Sequence, residues 1–467
     1  MVAQGLRLRR RLEEALPAAQ VSLAPDVLRK ESEDYAWFSN VLAETLAGLC
    51  ADAVVWPDDD GQLAAVLAIA HELRAPVTIR GGGTGNYGQC VPLAGGLVVD
   101  TGRLNQVLDI GDGYARVQAG VKLVELDRAA HATGQEIRIY PSTYLTATVA
   151  GFVGGGSGGV GSATHGMLVD GNVLAATVLP VDGDPRPQVV QGSDLSCYIH
   201  AYGTTGVMAD VTVPLAPRRA WEQAVLSFPD IYACHGFCLA LLNDPDIDKR
   251  LICTAEPAVV RHFTRARLPF NLDRTAALLV FGAGQRDRVV ALAGRHGGTL
   301  DIALPLDTKT RLTDFSWNHT TLWAKKADPS LTYLQAAFDI GRFEEQVRAI
   351  KARYGDEFAL HGEYARAGGA PFAGALPILP YRGRAALDDT IAFLEGIGVS
   401  IANPHTYVLE EGSRTDNASD LLAAKQRNDP AGLLNPGKLA AAGPFGPGGG
   451  AGRAATLGLA RRVDTTT

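Results

Sequence analysis

The sequence predicts an α+β protein built from two domains. At 467 residues the chain exceeds what one hydrophobic core usually holds, so two domains are the default expectation. Predicted strands and helices alternate in the first part, but several strands are joined by tight turns, which favours α+β over a purely parallel sheet. In the second part the order β-α-β recurs, which predicts a sheet backed by helices that caps the first domain.

Hydrophobic periodicity predicts the elements of the first part. Residues 1–50 are predicted as helices, and Asp59 to Arg74 as a helix with one apolar face. That face consists of Leu63, Val66, Leu67, Ile69, Ala70 and Leu73. Strands are predicted at 53–57, 76–80, 96–100, 107–110, 115–119, 173–179, 189–190 and 207–215, with a further helix at 121–133.

The second part contains fewer glycine runs and longer apolar strands. Strands are predicted at 276–281, 332–338, 358–362 and 399–402, and helices at 286–296, 343–354 and 384–396. Residues 403–410 are predicted as a strand-like segment. Residues 441–467 are rich in Pro, Gly and Ala without an apolar pattern, which predicts a disordered tail.

Composition excludes several classes of protein. Hydrophobic residues are 46% and charged residues 20% of the chain, as in an ordinary globular enzyme. The net charge of −7 argues against a nucleic-acid partner, which requires a basic surface. The sequence contains no run of about 18 apolar residues, so no membrane span is predicted. The N-terminus turns into a charged helix rather than an apolar signal core, so we expect a cytoplasmic protein.

The six cysteines show no disulfide framework. Cys234-His235-x-x-Cys238 invites a metal interpretation, but no second ligand pair follows at a zinc-site distance. Buried free thiols on a helix are the better interpretation.

Glycine is the compositional anomaly, with 53 residues and two dense clusters. The first glycine segment (residues 80–86) directly follows a predicted strand, and the second glycine segment spans residues 151–162. Consecutive backbone N–H groups without side chains can turn toward one anion, and a diphosphate is the natural ligand. A Rossmann fingerprint and a Walker loop both fail, because the acidic residue of the former and the Gly-Lys-Ser/Thr of the latter are missing.

Four ordered motifs resemble the vanillyl-alcohol oxidase/p-cresol methylhydroxylase family. Arg80 to Gly85, with Gly88-Gln89, is similar to the first FAD loop of that family. Pro141-Ser142 and Ala147 to Gly151 resemble its flavin segment, and Gly203 to Val207 resembles its Gly-Thr-Leu-Gly-Ile. Asp429 to Lys438 is similar to the ending of the glycolate oxidase/D-lactate dehydrogenase branch. The resemblance covers about residues 50–215 and 400–440.

The resemblance implies a two-part, vanillyl-alcohol oxidase-like FAD-binding domain with an α/β cap domain. The implied boundaries are an N-terminal helical segment 1–47, the FAD-binding domain 48–218, the cap 219–400, a return to the FAD domain 401–440 and the tail 441–467. The residues implied to bind FAD are Arg80, Gly81, Gly82, Gly83, Thr84, Gly85, Asn86, Gln89, Pro141, Ser142, Thr148, Gly151, Gly154, Gly155, Gly156, Gly161, Val207, Asn435 and Lys438.

Two departures from the family refine the expectation. Many relatives attach the flavin through a histidine in the first loop, where this chain has Thr84, and no cysteine occurs in residues 140–160. FAD is therefore predicted to be non-covalent. The chain also lacks the His-x-Gly-Asp-Gly-Asn motif of D-lactate and D-2-hydroxyglutarate dehydrogenases, so we expect no metal site.

Flavin oxidation of an alcohol or amine needs hydride delivery to N5 and a group that takes the remaining proton. The candidate catalytic residues are His405, Tyr407, Asn318 and His319. In a strand, alternation would send His405, Tyr407 and Leu409 to one face. The stretch Ser316 to Trp323 is dense in hydrogen-bonding and aromatic residues and suits a substrate pocket, although purely structural roles for these residues stay open.

The sequence therefore predicts an FAD-dependent oxidoreductase that acts on a small hydroxylated or amine-bearing organic substrate. One alternative is a flavin-binding protein without redox turnover, and another is a 2-hydroxy-acid dehydrogenase lacking the usual metal motif. The electron acceptor stays open between oxygen, a quinone and a protein, and an oligomer is compatible with the sequence.

Overall fold

The fold is described from a computed structural model that covers residues 2–264, 268, 270–306, 311–412 and 417–440. The tail predicted at 441–467 lies outside the described residues. Strands and helices are mixed throughout the chain, which confirms the α+β class.

The helices within the described residues are α1 (Val2–Ala15), α2 (Pro25–Glu31), α3 (Asn40–Thr45), α4 (Asp60–Leu73), α5 (Leu123–His131), α6 (Val149–Gly155), α7 (Ser162–His165), α8 (Ile231–Asn243), α9 (Pro257–Val260), α10 (Arg286–Gly294), α11 (Asn318–Ala327), α12 (Phe343–Tyr354), α13 (Arg384–Gly396), α14 (Leu409–Gly412) and α15 (Ala418–Asn428). None of these described helices combines the length and the apolar composition needed to cross a bilayer.

The strands of the same described ranges are β1 (Val21–Ser22), β2 (Ala53–Val55), β3 (Val77–Arg80), β4 (Leu97–Asp100), β5 (Val107–Gly111), β6 (Tyr114–Gln118), β7 (Gln135–Ile137), β8 (Ala175–Leu179), β9 (Gln188–Gln191), β10 (Val207–Pro217), β11 (Trp221–Phe228), β12 (Lys249–Ala255), β13 (Thr275–Gly282), β14 (Thr299–Pro305), β15 (Leu331–Tyr333), β16 (Ala336–Phe338), β17 (His361–Ala367), β18 (Ala370–Ala375), β19 (Ile378–Pro380) and β20 (Ser400–Ile401).

A small sheet near the N-terminus has the strand order β1-β2-β4-β3. Strands β2 and β3 run parallel to β4, and helix α4 forms the crossover between β2 and β3. All six residues of the predicted apolar face of α4 are buried. Because β3 and β4 are parallel, their carboxyl ends lie together, and the first glycine segment starts there with Arg80 beside Asp100.

An antiparallel sheet follows in the order β5-β6-β10-β8-β9, with β7 also paired to β10. The long strand β10 is its centre and pairs with β6, β7 and β8. Val117 and Val211 of this sheet share one core with Leu251 and Leu278 of the second part of the chain. The two parts therefore meet through a buried apolar layer.

The second part is organised by the cap sheet, an antiparallel sheet in the order β14-β11-β13-β12-β17-β18-β16-β20. One face of the cap sheet joins the core shared with the preceding sheet, and the other face carries α8 and α10. Cys234 and Cys238 are buried free thiols on α8, as predicted. The end of the sheet near β16 is covered by α12 and α13.

The C-terminal motif returns to the first sheet. The backbone N–H of Val77 donates to the Leu433 carbonyl at 2.8 Å, and the N–H of Asn435 donates to the Val77 carbonyl at 2.6 Å. These bonds place the motif against β3, directly before the first glycine segment.

Three sequence-based element predictions were wrong in detail. Residues 403–410 form no strand: a loop leads into α14 at Leu409, so the expected alternation of His405, Tyr407 and Leu409 does not exist. The strand predicted at 332–338 is two short strands, β15 and β16, which belong to different sheets. The strand predicted at 358–362 begins only at His361. Strands β11, β12 and β14 were not predicted; β11 and β12 are buried along almost their whole length and therefore lack polar alternation.

Candidate functional site

The first glycine segment packs against the start of α6. A Cβ atom on Gly82 would overlap the carbonyl oxygen of Thr146, and a Cβ on Gly81 would overlap Thr148 Oγ1 and lie 3.3 Å from the Gly151 Cα. Thr148 caps α6, since its Oγ1 accepts a hydrogen bond from the Gly151 N–H at 3.1 Å. The structure thus brings both glycine segments together, with backbone lying against backbone.

The remaining residues of the first segment are held by side chains from other parts of the fold. Gly83 has a φ of +62°, and a Cβ there would overlap the Arg80 guanidinium. That guanidinium donates to the Glu33 carbonyl at 2.6 Å and pairs with Glu31 at 2.8 Å. Arg80 therefore supports the turn from within the protein. Thr84 contacts the turn that contains Thr143, and the Oγ1 atoms of the two threonines lie 3.4 Å apart.

Gln89 joins the two segments directly. Its amide oxygen accepts from the Tyr87 N–H at 3.0 Å, and its Nε2 donates to the Gly155 carbonyl at 3.1 Å. Asn435 supports this link, because its Nδ2 donates to the Gln89 carbonyl at 2.9 Å and to the Tyr202 carbonyl at 2.7 Å. A Cβ on Gly85 would overlap the Gln89 side chain, so this packing also requires glycine there.

Lys438 lies below the first segment and is fully buried. Its Nζ donates to the Gly88 carbonyl and lies 5.5 Å from the centre of the Tyr407 ring. Burial lowers the pKa of Lys438 to about 8, while the nearby Asp34 carboxyl opposes that shift. Lys438 thus anchors the turn at Gly88, and Tyr407 lies beside its ammonium group.

The other predicted cofactor residues line the second glycine segment. The Gly154 carbonyl accepts from the Tyr202 N–H at 2.8 Å, and the Gly156 carbonyl accepts from His200 Nδ1 at 3.1 Å. Gly161 has a φ of +103° and its N–H donates to the Arg250 carbonyl at 2.7 Å. Pro141 and Ser142 form the turn opposite Gly159, and Val207 is the buried first residue of β10.

His405 is enclosed, which argues against its role as proton acceptor. Its Nδ1 accepts from the Ser39 hydroxyl at 2.7 Å, and its Nε2 donates to the Tyr333 carbonyl at 2.8 Å. The side chain is 2% exposed, and burial lowers its pKa to about 4. Both ring nitrogens are therefore used inside the protein, and the residue ties the N-terminal part of the chain to β15.

The burial of His405 predicts acid lability. Above pH 6.5, the unperturbed pKa of histidine, the neutral form of His405 contributes fully to stability. As the pH falls toward the folded-state pKa of about 4, this contribution is lost, because the unfolded chain binds more protons than the folded chain. We expect the melting temperature of His405→Gln to decline less steeply than that of the unmodified protein between pH 6.5 and 4. Thermal unfolding at fixed pH intervals measures this, and parallel declines would contradict it.

Asn318 and His319 begin α11 within a row of buried polar atoms. Four buried polar atoms here lack a hydrogen-bond partner among the described residues: Trp317 Nε1, Asn318 Oδ1, His319 Nδ1 and Thr321 Oγ1. Burial lowers the pKa of His319 to about 4, so its imidazole is neutral. A Cβ on Gly158 would lie 3.5 Å from the Trp317 ring, which places this row beside the second glycine segment.

Tyr87 connects the first glycine segment to the cap sheet. Its hydroxyl forms hydrogen bonds with the side-chain amides of Asn86, Asn318 and Gln335. Burial nevertheless raises the pKa of Tyr87 to about 12, so the phenol keeps its proton at neutral pH. Asn86 also donates to the Tyr333 hydroxyl at 2.6 Å. The predicted residues Asn86 and Asn318 thus meet at one tyrosine that sequence reasoning did not select.

His200 and Tyr202 were also missed. Both have a positive φ, 54° and 53°, which is uncommon for non-glycine residues and strained for bulky ones. The His200 ring lies 6.4 Å from the Tyr87 ring, and the Tyr202 ring lies 6.3 Å from it. The available signal was their position directly before the recognised Gly203-Thr204-Thr205-Gly206 motif.

The residues present fit a flavin dinucleotide. The packing accommodates no Cβ at Gly81 or Gly82, so the backbone N–H groups of the first glycine segment carry no side chain that would block a diphosphate. The partnerless polar atoms of Trp317, Asn318, His319 and Thr321 supply donors and acceptors on the cap side, and buried polar groups normally have partners. One side of this site therefore suits phosphate groups, and the other suits polar atoms of a bound small molecule.

A possible metal-ligand group lies on the cap sheet. Among the described residues, Cys253, His361 and Glu363 present ligand atoms within 4.8 Å of one another, and all three are buried. His361 Nε2 lies 2.9 Å from Glu363 Oε1, and Cys253 Sγ lies 3.6 Å from His361 Nδ1. The expectation of no metal stays a prediction.

Comparisons with known proteins agree with this geometry. Residues 51–186 match the family model described as "FAD binding domain". An uncharacterized FAD-linked oxidoreductase of Mycobacterium tuberculosis strain H37Rv is 28% identical over 437 residues, covering 87% of this chain and 94% of that protein. The glycolate oxidase subunit GlcD of Escherichia coli strain K12 is 33% identical over 185 residues, covering 37% of this chain and 36% of that protein.

A D-lactate dehydrogenase of Archaeoglobus fulgidus is 31% identical over 184 residues, covering 38% of this chain and 41% of that protein. Among solved structures, an alkyldihydroxyacetonephosphate synthase superposes with a TM-score of 0.73 over 92% of this chain and 86% of that chain. At 13% identity this likeness shows the fold alone. Residues 51–186 therefore carry an FAD-binding domain, and most of the chain is similar to an FAD-linked oxidoreductase.

Proposed function

We propose that the chain oxidises a small hydroxylated or amine-bearing organic substrate, with FAD held non-covalently between the glycine segments and the start of α11. The observation that carries this proposal is the row of partnerless polar atoms from Trp317 to Thr321 beside the second glycine segment. Buried polar groups without partners are costly, so a bound ligand that satisfies them offsets that cost.

In this proposal the backbone of Gly81 to Asn86 cradles the diphosphate, because the first glycine segment offers N–H groups with no side chain to block approach. Ser142, Thr148, Gly151 and Gly154 to Gly156 line the flavin, and Val207 meets its edge. Four further residues position the first glycine segment rather than touching FAD, because their side chains bond to protein atoms: Arg80, Gln89, Asn435 and Lys438.

FAD supplies a hydride acceptor at N5 when it is bound. The Tyr87 hydroxyl and the Asn318 amide orient the substrate heteroatom. They are bonded to each other where the first glycine segment meets the cap, which is where the substrate is proposed to lie. His319 is the candidate for the remaining proton, because its neutral imidazole keeps Nδ1 without a partner. Enclosed by Ser39 and Tyr333, His405 supports the site from outside.

Thr84 at the loop position where relatives carry a linking histidine supports non-covalent FAD. Acid precipitation of the purified yellow protein is expected to release all the flavin into the supernatant. Flavin that stays with the pellet after denaturation would contradict this arrangement.

The test of turnover is anaerobic mixing of the holoprotein with alcohols, amines and 2-hydroxy acids while the flavin absorbance is followed. Bleaching by a neutral alcohol or an amine supports the proposal. Bleaching by glycolate or lactate alone would instead support a 2-hydroxy-acid dehydrogenase, which the relatives' names make the second candidate. A flavin that no compound reduces, while dithionite still does, would indicate flavin binding without redox turnover.

Oxygen, a quinone and a second protein all stay open as electron acceptors, and reoxidation of the reduced flavin by each distinguishes them. A cytoplasmic location, the domain boundaries 48–218, 219–400 and 401–440, and self-association are further parts of this proposal. Cell fractionation, limited proteolysis and sedimentation measure them respectively.

A further inference from the structure

Trp317 has an unusual backbone conformation. Its φ of 51° and ψ of −141° lie in a region that bulky L-residues rarely adopt. Such a conformation persists only where the surrounding structure enforces it, and it occurs preferentially at functional sites.

A buried carboxylate holds the Trp317 backbone. The N–H of Trp317 donates to Glu363 Oε1 at 2.5 Å, and His361 Nε2 lies 2.9 Å from the same oxygen. Thr320 Oγ1 donates to the Phe315 carbonyl at 3.0 Å, so its oxygen is an acceptor for His361 Nε2 at 3.0 Å. Glu363 and His361 are 2% and 0% exposed, so this network is shielded from water.

This conformation directs the indole toward the second glycine segment. A Cβ on Gly158 would lie 3.5 Å from the ring, and the indole Nε1–H is buried without a partner among the described residues. Trp323, six residues later, shows the contrasting arrangement, because its Nε1 donates to the Asp314 carbonyl at 2.8 Å. The Trp317 donor is therefore positioned for an acceptor that the chain itself does not supply.

We propose that Trp317 is a ligand-binding residue of the oxidoreductase site whose indole N–H donates to an oxygen of the bound small molecule, with Glu363 and His361 as its positioning residues. The inference rests on the proposed function, which puts FAD and substrate between the glycine segments and the start of α11. A flavin carbonyl and a substrate oxygen share the required acceptor chemistry, and the FAD affinity of a Trp317 variant separates them.

The hydrogen bonds favour this positioning role over a metal site at Cys253, His361 and Glu363. Glu363 Oε1 already accepts from a backbone N–H and an imidazole, and His361 Nε2 is shared between Glu363 and Thr320. The carboxylate therefore has donors within the protein, and a cation is not needed to compensate its charge.

Trp317→Phe keeps an aromatic ring and removes the N–H together with the five-membered ring of the indole, a truncation that the control Trp323→Phe reproduces. If the acceptor is a flavin oxygen, the Kd for FAD rises about tenfold; if it is a substrate oxygen, FAD affinity is unchanged and KM rises about tenfold. Trp323→Phe is the matched control, expected to leave both values within about twofold. Unchanged Kd and KM in Trp317→Phe would overturn the proposal. The FAD titration measures the Kd even if no tested substrate reduces the flavin. The proposed oxidoreductase function and the proposed role of Trp317 can therefore be refuted independently.

The positioning role is tested by rescue. Glu363→Leu should weaken binding as Trp317→Phe does, whereas Glu363→Gln keeps an acceptor for the Trp317 N–H and should lose less. The double variant Trp317→Phe with Glu363→Leu should be no weaker than Trp317→Phe alone, because both remove the same interaction. Additive losses would overturn the coupling. One divalent ion per chain in the purified holoprotein, absent after Glu363→Gln, would overturn the hydrogen-bonding role.

Discussion

Gly82→Ala is expected to abolish FAD retention during purification. The added Cβ would overlap the carbonyl oxygen of Thr146, a backbone atom that cannot rotate away. The first glycine segment would have to move away from the segment that precedes α6, and the N–H groups expected to bind the diphosphate would move with it. Relief of such an overlap typically costs about 1–3 kcal/mol, so we expect the Kd for FAD to rise at least tenfold and about a hundredfold at most.

Gly294→Ala is the matched control for this substitution. Gly294 ends α10 on the cap, and a Cβ there meets no heavy atom within 4 Å. This variant should bind FAD like the unmodified protein. Flavin absorbance per chain and circular dichroism measure binding and folding separately. Stoichiometric FAD in a folded Gly82→Ala protein would show that the glycine contact does not form the cofactor site.

Tyr87→Phe is expected to slow flavin reduction by about 10²-fold while FAD stays bound. The Tyr87 oxygen is surrounded by the amides of Asn318 and Gln335, and its high pKa keeps the phenol protonated. The hydroxyl proton is then available to a substrate heteroatom, and phenylalanine removes it without changing the ring. Stopped-flow absorbance under anaerobic conditions measures the rate.

The matched control for Tyr87 is Tyr198→Phe. Tyr198 is also buried, and its hydroxyl accepts from Asn428 Nδ2 at 2.8 Å near the C-terminal motif. Both variants remove a buried phenol hydroxyl that is bonded to side-chain amides, but only Tyr87→Phe should lose reduction rate. Equal rates in the two variants would remove Tyr87 from substrate binding.

The cofactor side of the site could be inferred from sequence because its chemistry depends on what side chains are absent. Consecutive glycines after a predicted strand can be recognised in the sequence alone, and the structure places the two glycine segments in contact at Gly81 and Gly151. The substrate side depends on which side chains converge. Asn318, His319 and the neighbouring Trp317 came from a polar and aromatic stretch of the sequence, but Tyr87 and His200 became visible only through their neighbours and backbone angles.

His405 shows why a local pattern misleads. A histidine near the C-terminal motif suggested a base on a strand, yet Ser39 and Tyr333 occupy its two nitrogens. These partners lie 366 and 72 residues away along the chain, and no spacing rule connects them. Only the packing of the N-terminal part against β15 decides that this histidine is enclosed.

By itself the sequence determined the α+β class, the helix α4 with its buried face, the two glycine segments and the FAD-binding domain, because these depend on local periodicity and on motifs of adjacent residues. The tertiary structure alone decided the order of the cap sheet, the enclosure of His405 and the grouping of Tyr87, Asn318 and Trp317. These features depend on contacts between residues far apart in the chain, and on burial, which changes the hydrogen bonds and pKa of a side chain without changing its neighbours in sequence.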